Sequence, residues 1–111
     1  MSVETVVCLI TTANPEEGVQ IARALVSEGL AACVNIVPRV RSIYRWKGEL
    51  CDDEEALLLV KTQRHRVEPL IQRVKALHSY SVPEILALPV QAGSEDYLRW
   101  VGECVGTEGR P

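Results

Sequence analysis

The chain has 111 residues, of which 47% are hydrophobic and 24% charged, and a formal net charge of −3. That length supports one domain with a modest core. The acidic balance offers no basic face to nucleic acid, and no apolar run approaches the ~20 residues of a membrane span. With two Trp, three Tyr and no Phe, the core must be filled by Val, Leu, Ile and Ala.

Residues 3–12 (VETVVCLITT) form a nearly continuous β-rich run and predict a central strand. Asn14-Pro15-Glu16-Glu17 then reads as a helix start. Asn14 caps, Pro15 fits the first helical position, and the two acids face the positive end of the dipole. The spacing places Val19, Ala22 and Val26 inward, with Ile21 and Leu25 widening the stripe. Gly29 ends the helix.

Residues 31–46 and 49–62 read as two long strands joined by the turn Lys47-Gly48. Pro38 cannot donate to a ladder, so a bulge or bend is expected at 37–40. At ~3.3 Å per residue each strand would reach about 50 Å. A compact domain of this size has a radius of gyration of only ~13 Å. The hairpin therefore overhangs its domain or bends sharply, and an overhanging apolar hairpin needs cover from another chain. The acidic run Asp52-Asp53-Glu54-Glu55 reads as a solvated strand end.

Val67, Leu70, Ile71, Val74 and Leu77 recur at helical spacing, which predicts a helix over 65–78 with Pro69 in its first turn. Residues 78–83 form a loop, and 84–91 (EILALPVQ) a strand whose far half Pro89 demotes to an edge. Gly93 turns the chain, Ser94 caps, and 95–104 is a short last helix. The expected organisation is one domain over 1–105 and a flexible tail over 106–111. The fold class is α+β, a ferredoxin-like βαββαβ(α) order with an extended central hairpin.

Cys8, Cys33, Cys51 and Cys104 form no Cys-x-x-Cys pair, so a structural zinc site is not expected. Cys8 and Cys33 lie in apolar runs and read as buried thiols. Cys51 lies near the hairpin turn, where it is the thiol open to adventitious chemistry. The apolar run 6–10 is too short for a signal peptide and lacks a basic flank. A reducing cytoplasm is the expected setting. No glycine-rich phosphate loop, nucleophile elbow or metalloprotease pair is present, so no enzymatic activity is expected.

The runs LAACVNIVP (30–38), SIYRWKGE (42–49), LLLVKT (57–62), ALHSYSVPEILALPV (76–90) and YLRW (97–100) occur in an order that resembles the CutA family of divalent-cation tolerance proteins. The resemblance covers roughly residues 3–103. It implies a tight homotrimer in which strands of one subunit extend the sheets of its neighbours. It also implies a non-enzymatic role in tolerance of copper or other divalent metal ions. Family architecture is similar to that of PII-type signalling trimers, so the alternative is a sensor binding a small anionic ligand between subunits.

His78 and Glu84 are the metal-ligand candidates, since imidazole and carboxylate suit copper, zinc and similar ions. His78 can equally cap the end of its helix. Some bacterial relatives carry a Cys in place of Thr11 and a His in place of Leu77. Of that set only His78 stands here, which implies a weak site and no required cofactor. Cys33 is a further soft-ligand candidate in a context that reads as core. Lys61 is the candidate to point an ammonium into an inter-subunit cleft, for pairing with Glu84 or for an anionic ligand. Tyr80 and Tyr97 are candidates to line the same cleft. Ile36, Val40, Ile43 and Trp46 are the expected subunit interface, with Trp46 as an anchor.

Overall fold

The structure, a computed structural model, describes residues 4–106. Its elements run β1 (Thr5–Thr12), α1 (Pro15–Ser27), β2 (Cys33–Trp46), β3 (Glu49–Gln63), a 3-10 turn (Arg64–Arg66), α2 (Val67–Leu77), β4 (Ile85–Pro89) and α3 (Glu95–Val105). The order expected from the sequence is the order found. The first residue of the expected opening strand, at position 3, lies outside the described residues. So do positions 107–111 of the expected tail.

The four strands form one antiparallel sheet in the order β2-β3-β1-β4. Local chemistry explains the helix boundaries. Asn14 Oδ1 accepts the Glu17 N–H at 2.8 Å, and Pro15 opens α1. At the other end Gly29 takes a φ of 73°, the Leu30 N–H reaches Leu25 O at 2.9 Å and the Gly29 N–H reaches Val26 O at 3.1 Å. This paired closure is a Schellman motif, and it needs a residue free to enter the left-handed region.

α1 and α2 pack on one face of the sheet. Val6, Cys8 and Ile10 of β1 and Leu58 and Val60 of β3 meet Ile21 and Leu25 of α1 and Leu70 and Val74 of α2. Burying each such side chain contributes about 1.5–3 kcal/mol. The inward stripe of α1 is rotated from the expected one. Gly18, Ile21, Ala22 and Leu25 are buried, whereas Val19 and Val26 face outward. Leu25 and Ile21 fit between β1 and α2, and two β-branched valines a further turn apart are left on the flank.

The opposite face carries no α1 or α2 residues. Residues paired directly across antiparallel strands share a face. One row is therefore Leu88, Val7, Lys61 and Cys33, and the next is Leu86, Leu9, Leu59 and Asn35. Leu86 and Leu88 are about half exposed. α3 packs at the end of the sheet where β2 begins, with Val101 and Val105 against Ala32.

The central hairpin overhangs. β1 pairs with β3 only from Ala56 to Gln63, so β3 from Glu49 to Glu55 has β2 as its sole described neighbour. The molecule measures 46 × 27 × 23 Å with a radius of gyration of 14.6 Å. Lys47 (φ 51°) and Gly48 (φ 81°) close the hairpin in the paired positive-φ turn that matches strand twist. The expected irregularity falls between Val37 and Val40. Val37 pairs with Leu57 and Val40 with Glu55, so two residues of β2 oppose one of β3. The bulge inverts side-chain parity. Val34 and Ile36 point to the helices before it, whereas Val40, Ser42, Tyr44 and Trp46 lie on the helix-free side after it.

Candidate functional site

A cavity of about 720 Å³ opens where the hairpin leaves the domain, lined by residues from β1, β2, β3 and the loop before β4. Thr11, Glu55, Asp53, Ser42, Tyr44 and Trp46 come from the helix-free side of the sheet. Tyr80, Ser81, Val82 and Glu84 form the opposing wall. The parity switch at the bulge is what brings Ser42, Tyr44 and Trp46 to the same side as Glu55.

Both lining tyrosines are tied to carboxylates. Tyr44 Oη donates to Asp53 Oδ2 at 2.5 Å, and Tyr80 Oη donates to Glu55 Oε2 at 2.8 Å. Burial, and after it the bond to Glu55, pushes the Tyr80 phenol up to about 12. The bond to Asp53 is the main cause that holds the Tyr44 phenol above the ordinary range. Both hydroxyls are thus protonated donors near neutral pH. Glu55 is buried, which departs from the solvated strand end expected for the acidic run, whereas Asp52, Asp53 and Glu54 are exposed. Strand alternation carries the missed signal, because Glu55 shares a side with Leu57 and Leu59.

His78 stands behind this wall with its side chain fully buried. Nε2 lies 2.7 Å from the Thr11 carbonyl oxygen, and Nδ1 accepts the Tyr80 N–H at 3.0 Å. A carbonyl can only accept and an amide N–H can only donate, so the ring is a neutral tautomer protonated on Nε2. Glu17 Oε2 lies 3.8 Å from Nδ1. Burial alone would raise the Glu17 carboxyl. The Ala13 N–H at 3.0 Å and the Ser79 N–H at 2.7 Å, with the Ser79 hydroxyl, outweigh it and hold the group below the usual carboxylate range. The loop 78–84 is thereby fastened to the start of α1 and the end of β1.

The structure brings only some of the expected site residues together. Glu84 and Tyr80 line the cavity, and His78 supports Tyr80 from behind with both ring nitrogens engaged. Lys61 lies elsewhere. It pairs across the sheet with Val7 and Cys33, and its Nζ bonds Asn35 Oδ1. Glu84 adjoins Ile85, the partner of Ile10, so about 13 Å of strand separates it from the Lys61 row. Within one subunit a Lys61–Glu84 pair is not formed. Tyr97 is outside the cavity too. It packs against Trp100 with ring centroids 5.5 Å apart, and burial together with the Cys33 sulfur raises its phenol.

The expected interface residues also divide. Ile43 and Trp46 are exposed on the hairpin and Val40 is half-buried at the bulge. Ile36 packs against the chain's own core because it precedes the parity switch. All four cysteines are free, with Cys8 buried and its thiol pushed up to about 11 by burial. Cys33 is half-buried rather than buried. Among the described residues no three His, Cys, Asp or Glu side chains converge as a ready metal site. Nor is any described helix long and apolar enough to cross a membrane.

A family model described as the CutA1 divalent ion tolerance protein matches residues 6–104. The divalent-cation tolerance protein CutA of Thermus thermophilus is 57% identical over 100 residues, covering 90% of this chain and 97% of the relative. The chloroplastic protein CutA of Arabidopsis thaliana is 46% identical over 100 residues, covering 90% of this chain and 55% of the plant protein. This chain thus spans about half the plant relative's length. Among solved structures, the Thermus thermophilus divalent cation tolerance protein matches with a TM-score of 0.90 at 56% identity, covering 92% of this chain and 99% of that one. A protein of Archaeoglobus fulgidus described as the periplasmic divalent cation tolerance protein CutA matches with a TM-score of 0.89 at 35% identity, covering 92% and 99%. The parity-switched hairpin and the antiparallel sheet therefore sit in a known setting, and the chain belongs to the CutA1 divalent ion tolerance family.

Proposed function

We propose that this chain serves divalent-cation tolerance without catalysing a reaction, as a homotrimer whose subunits each hold a weak cation site at the hairpin stem. The observation that carries this reading is the charge of the cavity. Asp53, Glu55 and Glu84 line it, and no Lys, Arg or His is among the lining residues. Carboxylate oxygens suit hard divalent ions, and softer ions such as copper prefer added imidazole. Glu84 is the first ligand in this reading. His78 joins only by releasing the Tyr80 N–H from Nδ1. With no three ligands convergent among the described residues, copper or another divalent ion is a weak visitor rather than a required cofactor.

Three features support the homotrimer. The outer hairpin lacks a covering strand, the helix-free face is rich in Val and Leu, and β2 and β4 are sheet edges. In this reading Val40, Ile43 and Trp46 meet a neighbouring subunit, while Ile36 stays in its own core. Four free thiols favour a cytoplasmic setting, although relatives carry chloroplastic and periplasmic names. The anionic-ligand alternative draws less support, because Lys61 bonds Asn35 away from an acidic cavity.

The test is calorimetric titration with copper, zinc and cadmium, with mass followed by light scattering. The expected result is weak saturable binding to a trimer, lost in Glu84→Gln and retained in His78→Ala and Cys51→Ser. Absence of saturable binding below millimolar metal overturns direct metal handling. A melting temperature raised by nucleotides or organic anions and not by metals favours the anion sensor.

A further inference from the structure

We draw no further inference here: the strongest candidate, the aromatic patch of Tyr97 and Trp100 on α3 with the half-buried Cys33 thiol beside it at the end of the sheet, carries nothing because nothing in the structure shows what covers it.

Discussion

His78 Nε2 donates to the carbonyl oxygen of Thr11 at 2.7 Å and joins the end of α2 to the end of the central strand across 67 residues of sequence. The ring's other nitrogen holds the Tyr80 N–H, so one buried imidazole fixes the loop that walls the cavity. His78→Ala removes both bonds and leaves a void. It should cost about 2–4 kcal/mol in urea unfolding. An unchanged unfolding midpoint would mean that the imidazole does not hold the loop.

Glu17 gives stability a pH dependence. Its carboxyl is held below the usual range in the folded chain, so its contribution is complete above that range and fades as pH falls through the lowered folded value. Glu17→Gln should therefore destabilise by about 1–2 kcal/mol at pH 7. The gap to the parent should close in acid. Unfolding curves for both proteins between neutral and acid pH check this, and a gap that stays constant refutes it.

Burial and the Glu55 carboxylate together push the Tyr80 phenol up to about 12. Absorbance titration of the parent against Tyr80→Phe isolates this group. Glu55→Gln should bring its midpoint down, but only part of the way to the ordinary value, because burial is the larger cause and remains. A midpoint unmoved by Glu55→Gln would deny the bond any influence in solution.

Two isoleucines seven residues apart should respond differently to charge. Ile43 is 64% exposed on the hairpin, whereas Ile36 packs against the core. Ile43→Asp should lower the mass seen by light scattering and keep the circular dichroism of a folded subunit. Ile36→Asp should destabilise the subunit itself, by on the order of 3–5 kcal/mol, through an unpaired buried charge. Similar behaviour of the two variants would show that the overhanging arm is not separated from the subunit core as described.

Features written in local chemistry were legible in the sequence. The turn at Lys47-Gly48, the irregularity beside Pro38, the Asn14 cap and the Gly29 stop each depend on one or two residues and their neighbours. The inward face of α1 was less so. Apolar spacing gives a stripe, but its centre is set by the fit of Ile21 and Leu25 against β1 and α2, and Val19 and Val26 fall outside it. The site depended on distance in sequence. Pairing of Tyr80 with Glu55, and of Lys61 with Asn35, requires the register of strands far apart in the chain. Glu55 was obscured by its own neighbours, since three adjacent acids are solvated and it is not.

The bulge between Val37 and Val40 sets a rule for how the arm can change in length. Removing one of its residues would turn Tyr44 and Trp46 to the other side, away from Asp53 and Glu55, and dismantle the cavity without touching a lining residue. At the tip, beyond Trp46, strand positions can be added in matched pairs, each moving the end by about 3.3 Å while the stem keeps its sides. The arm is thus adjustable in reach at its tip and fixed in orientation at its base. A length change in the arm is tolerable or ruinous according to which side of Val40 it falls on.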